Sequence, residues 1–201
     1  MYYIRFQEIK AMKKIILFLF CALVAIEIAQ AQSGLNVYTG LSSATNKSAL
    51  ITPEGYTHNG YHLGADARLI EGNMYFVIGG QYHVINYISS ADSPYLSLDS
   101  KMKWLKLRIG LGYNLITINS KIAITAKTLG SINVISSYPS DIAGAPFDNY
   151  NTGTAGAVLG LGLDIYSFTL NVEYEKGFFN AVNMVPETEF DFLTLSVGFR
   201  F

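Results

Sequence analysis

The sequence is short of charge, of cysteine and of long apolar runs. Only 14% of its 201 residues are charged, and 14 lysines and arginines meet 15 aspartates and glutamates. So sparse and balanced a set excludes a nucleic-acid binder, which needs a basic face, and excludes a disordered tail or a coiled coil, which need many charges. A single cysteine, Cys21, leaves no partner for a disulfide. Nowhere do 18 apolar residues follow one another, so no helix is predicted to span a membrane. What is plentiful instead is glycine (18), tyrosine (14) and phenylalanine (12). The length suits one domain, and the composition points to an all-β one.

The N-terminus reads as a targeting segment. Lys13 and Lys14 precede an apolar run from Ile15 to Ile26, and Ala29-Gln30-Ala31 supplies the small-residue pattern of a signal-peptidase site. Residues 1–31 are therefore expected to be a cleaved secretory signal, with Met12 as the natural start, and 32–201 to be the mature domain. Phe20 before Cys21 stands where a lipidated cysteine needs a small residue, which argues against a lipoprotein.

From Gln32 onward the apolar residues repeat every second position rather than every 3.6. In 105–115, Leu105, Leu107, Ile109, Leu111, Tyr113 and Leu115 alternate with Lys106, Arg108, Gly110, Gly112 and Asn114. The same alternation runs through 155–164, 168–175 and 193–201, and more weakly through 35–42, 61–70, 74–86 and 121–135. That predicts eight strands. Connections at Gly72-Asn73, Asn119-Ser120 and Tyr166-Ser167 are short enough for tight hairpins, whereas those near 43–60, 87–102, 136–153 and 179–189 are long and polar. Short turns thus gather at one end of the sheet and long loops at the other.

Periodicity does not say which face is the outside. In a lipid bilayer, Lys106, Arg108 and Lys127 would each cost roughly 2–4 kcal/mol if turned to the hydrocarbon midplane. Together that rivals the stability of a whole domain, about 5–15 kcal/mol. The charged face must then be the lumen. Gly64, Gly79, Gly110, Gly112, Gly160, Gly162 and Gly198 fall on that same face, as a narrow interior requires. On the apolar face, Phe76, Tyr113, Phe168 and Phe201 lie toward the short turns, and Tyr61, Tyr82, Tyr174 and Phe178 toward the loops, two girdles of the kind that flank a membrane belt.

The signal segment, the eight alternating strands and the closing Leu193-Thr194-Leu195-Ser196-Val197-Gly198-Phe199-Arg200-Phe201 together resemble the small outer-membrane β-barrel family, including the OmpA transmembrane domain, OmpX and the PorT-like barrels of the Bacteroidetes. The resemblance covers essentially the whole mature chain. It implies an all-β fold, an eight-stranded antiparallel up-and-down transmembrane barrel with short periplasmic turns and long extracellular loops, in the outer membrane. It also implies that Leu193, Leu195, Val197, Phe199 and Phe201 are read as a signal by the barrel assembly machinery. Outer-membrane lipid and lipopolysaccharide would be its surroundings.

Within that frame the charged residues Asp66, Arg68, Lys106, Arg108, Lys127, Asp164, Glu173, Glu175 and Arg200 are expected to fill the lumen as a paired network. With Tyr166-Ser167 as a two-residue turn, Glu173 falls opposite Gly160 and has room to reach Arg108 or Lys127. With Gly72-Asn73 as a turn, His62 falls opposite His83. Two imidazoles make an incomplete metal site, so they are expected to hydrogen-bond to Gln81 or to tyrosines, and no metal or other cofactor is expected. A lipid A-modifying enzyme would need a nucleophile and base facing lipid, and only loop-placed His58 with Ser42 or Ser43 approaches that requirement. A soluble lipocalin-like barrel, with the apolar face inside, is the other alternative. Neither is preferred: the expected role is structural or interaction-based, for a monomer that engages no nucleic acid. A protein partner is expected at the loops, through aromatics such as Tyr95, Tyr138, Phe147 and Tyr150.

Overall fold

The computed structural model describes residues 34–48, 57–86, 101–118, 121–137, 151–181 and 186–201. The expected signal segment and the loop aromatics Tyr95, Tyr138, Phe147 and Tyr150 lie outside the described residues.

Eight strands follow one another: β1 (Gly34–Thr45), β2 (His58–Glu71), β3 (Met74–Asn86), β4 (Lys101–Ile118), β5 (Ile122–Ser137), β6 (Gly153–Ile165), β7 (Phe168–Gly177) and β8 (Asp191–Arg200). Each pairs antiparallel with its neighbour in sequence, and β8 returns to β1, so the sheet closes into an up-and-down barrel. Closure removes every free strand edge. The hairpins have the expected registers: Glu71 faces Met74 across Gly72-Asn73, and Ile165 faces Phe168 across Tyr166-Ser167. Gly72 turns with φ +62°, where a side chain would be strained, whereas Tyr166 accepts φ +54° without being glycine.

The alternation in sequence becomes an alternation of faces. Leu107 is 59% exposed and Ile109 52%, while Lys106 and Arg108 between them are 0% and 2% exposed. Along β7 and β8, Leu170, Val172, Leu193, Leu195 and Val197 likewise face out, and Asn171, Glu173, Thr194 and Ser196 face in. The apolar side is thus the exterior, which removes the soluble lipocalin-like arrangement. All eight girdle aromatics lie on this outer surface, with Phe76 half-buried.

Two irregularities depart from strict alternation. Between Asn114 and Ile116 the β4–β5 register shifts by one residue, so Leu115 and Ile116 both point outward. A second shift, opposite Lys103 and Trp104, leaves Ser136 as an extra residue in β5. Strand β4 also begins earlier than the alternation suggested. At its start the chemistry of the faces reverses, with Met102 and Trp104 buried inside and Lys101 on the exterior.

Candidate functional site

The lumen is the candidate site, and its contents follow from the inward positions of the strands. Along β4, from the loop end to the turn end, these read Trp104, Lys106, Arg108, Gly110 and Gly112, and each residue sets the character of one layer. The glycines mark where neighbours cross the bore. A Cβ on Gly112 would run into the Tyr75 ring, and one on Gly64 would meet the Tyr38 hydroxyl at 2.5 Å.

At the turn end Asp164 receives two guanidinium groups, Arg68 Nη1 at 2.8 Å and Arg200 Nη1 at 2.8 Å, both on Oδ2. Arg68 also lies over the Tyr75 ring, 5.1 Å from its centre. Beside them Thr169 donates to Asn36 Oδ1 at 3.0 Å. Tyr75, Val77, Leu129 and Val158 then form a small apolar cluster inside the barrel.

The middle layer is built around Glu173. Its position opposite Gly160 leaves space beside it, and the carboxylate takes both Nη1 and Nη2 of Arg108, at 2.9 and 3.1 Å, while also pairing with Lys127. Such a fork is the geometry in which a guanidinium binds a carboxylate best. Arg108 Nη1 further donates to Gln81 Oε1 at 2.9 Å, and Nη2 stands 3.7 Å from Asp66 Oδ2. Asp66 accepts the Tyr38 hydroxyl at 3.1 Å.

Above it, Lys106 Nζ contacts Glu175 Oε2 at 2.6 Å. The other oxygen of Glu175 accepts from Ser131 Oγ at 2.8 Å and Asn133 Nδ2 at 2.7 Å. Lys106 Nζ also sits 3.3 Å from the centre of the Phe192 ring. An ammonium held between a carboxylate and an aromatic face recovers part of its lost hydration. All nine charged residues named from the sequence therefore face the lumen, and each takes part in an ion pair: Arg68 and Arg200 with Asp164, Lys106 with Glu175, Arg108 with Glu173 and Asp66, and Lys127 with Glu173.

The histidines behave otherwise than expected. His62 and His83 are paired across β2 and β3, with stacked rings 5.0 Å apart. Their partners are not Gln81 and tyrosine, because Gln81 is turned to Arg108. Instead both Nδ1 atoms converge on Ser42 Oγ, at 3.0 Å from His62 and 3.3 Å from His83, and His62 Nε2 meets Ser196 Oγ at 2.8 Å. A hydroxyl has one proton and two lone pairs, so Ser42 donates to one ring and accepts from the other. His58 is not in a loop either: it is the first residue of β2 and is buried. Ser42 faces inward to His62 and Ser43 faces outward, so they do not form the lipid-facing dyad that an enzyme reading required. Among the described residues no three histidine, cysteine, aspartate or glutamate side chains gather as a metal site.

Sequence reasoning missed the layer nearest the loops. Ala44, Ile85, Met102, Trp104, Ile135, Ala181, Phe190 and Phe192 form one buried apolar cluster. Trp104 packs edge-on against both Phe190 and Phe192, at 5.6 Å each. The available signal was the reversal of parity in Lys101-Met102-Lys103-Trp104 and in Phe190-Asp191-Phe192, where the polar residue takes the outward position. On the outer rim beside this layer, Asp191 accepts both Lys176 Nζ, at 2.8 and 2.9 Å, and the Tyr174 hydroxyl, at 3.0 Å.

The five assembly-signal residues of the sequence reading lie on the exterior of β8 or just past its end, where Phe201 N–H donates to Leu35 O at 2.9 Å. No protein-family profile and no curated protein sequence matches the chain. Among solved structures, Neisserial surface protein A (NspA) is similar over 83% of this chain and 97% of its own, with 14% identity and a TM-score of 0.52. The attachment invasion locus protein Ail of Yersinia pestis aligns over 84% and 99%, at 14% identity and a TM-score of 0.43. The outer membrane channel DcaP of Acinetobacter baumannii aligns over 82% and 47%, at 14% identity and a TM-score of 0.34. At this level of identity the likeness to NspA is one of fold: an eight-stranded, all-antiparallel closed barrel of the small outer-membrane type.

Proposed function

We propose that the chain is a bacterial outer-membrane barrel that crosses the bilayer with its eight strands and whose lumen is plugged by its own side chains. The observation that carries this reading is the division of faces: large apolar residues cover the outside of a closed barrel, and nine paired charges fill the inside. Contiguous apolar surface on that scale far exceeds the few hundred Å² that water-soluble monomers expose. Closed barrels are also the only β-structures that satisfy every backbone group in hydrocarbon. The long connections face the cell exterior and the short turns the periplasm, as in bacterial barrels generally.

In this reading the protein acts as a monomer without enzymatic activity, in a structural role or as a platform whose extracellular loops engage a protein partner. The nine charges serve the plug rather than catalysis. Residues Leu193, Leu195, Val197, Phe199 and Phe201 serve insertion by the assembly machinery, and membership among OmpA-, OmpX- or PorT-like barrels belongs to the same proposal. The test is membrane fractionation followed by gel mobility of unheated and boiled protein. Outer-membrane recovery with a heat-dependent shift is expected; recovery from the periplasm without detergent would overturn the reading.

A further inference from the structure

The two lumenal histidines are tied into the seam where β8 closes on β1. His62 on β2 and His83 on β3 are both 0% exposed, and their rings stack at 5.0 Å. Gly40 on β1 lies opposite His62 on one side and opposite Ser196 of β8 on the other. A Cβ there would stand 2.8 Å from His62 Cε1, so the glycine clears the way for the ring to cross β1. His62 thereby reaches Ser196 Oγ with Nε2, at 2.8 Å, while its Nδ1 shares Ser42 Oγ with His83 Nδ1. One chain of hydrogen bonds, from Ser196 through His62 and Ser42 to His83, thus links the four neighbouring strands β8, β1, β2 and β3.

The chain is complete when both rings are neutral. His62 Nδ1–H donates to Ser42, Ser42 donates to His83 Nδ1 and Ser196 donates to His62 Nε2, or every bond runs the other way. Two added protons break it, because both Nδ1 atoms then aim a hydrogen at Ser42, whose own hydrogen loses its acceptor. One added proton keeps the bonds but brings a charge without a counter-ion. Around the pair, β1 presents Tyr38, edge-on to His62 at 6.1 Å, and β8 presents uncharged Phe192, edge-on to His83 at 5.6 Å. On β2 the inward groups are His58 and Asp66, on β4 Lys106 and Arg108, and on β7 Glu173 and Glu175. Each of these carboxylates is already taken: Glu173 by Arg108 and Lys127, Glu175 by Lys106, and Asp66 by the Tyr38 hydroxyl and Arg108. The nine lumenal charges moreover set five cations against four carboxylates. A buried charge is tolerated when it is paired, and a further cation here has nothing to pair with.

We propose that Ser196, His62, Ser42 and His83 form an acid-released latch on the closing seam: neutral, the two imidazoles hold β8, β1, β2 and β3 together, and the closed bore has no place for a charged ring. Once the seam opens to water, either ring takes up a proton. The latch therefore weakens as pH falls past the ordinary imidazole value, about 6.5, because the opened state binds more protons than the closed one. The test is urea unfolding of the full-length protein in a mild detergent at about pH 7.5 and about pH 5, comparing the natural chain with His62→Gln/His83→Gln. Acidification is expected to raise the unfolding equilibrium constant of the natural protein at least about tenfold more than that of the double variant. His58 is present in both, so its own response cancels. Equal responses, or a larger one in the variant, overturn the latch. Should the variant fail to fold, amide hydrogen exchange of the natural protein decides. Corrected for the intrinsic effect of pH, opening of β1 and β8 is expected to rise at least about tenfold relative to β5 and β6 on acidification. Exchange that rises evenly around the barrel, or does not rise, overturns the latch as well.

Discussion

Glu173 is the residue on which the lumen depends most, because one carboxylate answers both Arg108 and Lys127. Removing it leaves Lys127 without a carboxylate and Arg108 with only the more distant Asp66, and breaking a buried pair from one side typically costs about 3–5 kcal/mol. Glu173→Gln should therefore lower the unfolding free energy, measured by urea titration in detergent or lipid, by an amount approaching that range. Lys176→Ala, which breaks a solvent-accessible bridge to Asp191, should cost no more than about 1 kcal/mol. Equal losses would show that the network contributes nothing beyond a surface pair. At this scale much was legible: alternation assigned all nine charges to one face, and hairpin lengths set Glu173 opposite Gly160 and His62 opposite His83. The partners of the histidines were not legible, because Ser196 lies 134 residues from His62 and on a strand that is not its neighbour. Contacts across the bore depend on the shear of the closed sheet, which no local pattern encodes.

Strand β4 shows what periodicity reads and what it loses. Its central residues alternate without fault, yet its first four carry the opposite rule, apolar inside and lysine outside. A reading that equates apolar with lipid-facing stops at Leu105 for that reason, and it passes over the apolar layer beneath the loops. The bulge at Leu115 hides in the same way, since two adjacent apolar residues look like an interrupted strand. Trp104, the only tryptophan, reports directly on the inward assignment. It is buried to 1% exposure among Phe190, Phe192 and Met102. In bilayers of brominated lipid its fluorescence should be quenched little, and its emission should shift to longer wavelength only on unfolding. Strong quenching by the lipid would place the indole on the exterior and reverse the register of β4.

For the whole molecule, closure of eight strands leaves a bore that side chains fill. Three layers stand in series along it: the Asp164 cluster, the Arg108–Glu173–Lys127 and Lys106–Glu175 pairs, and the apolar cluster above them. An ion would have to part each in turn, so planar-bilayer recordings should show no conductance resembling that of a wide porin; steady porin-sized currents would refute the plug. Fold class and the layout of turns and loops were legible because a closed sheet stamps its period on every strand. The role was not, since the connections that would carry it have no period to read.

The two ends of this bore are stopped with different materials. Toward the loops the seal is carbon, Trp104 and Phe192 lying against one another with Met102 and Ile135. Toward the turns it is a guanidinium, Arg200, whose side chain is 27% exposed. Of these stopper residues only Arg200 meets solvent to any extent, so the two mouths of the bore differ in how readily water wets them.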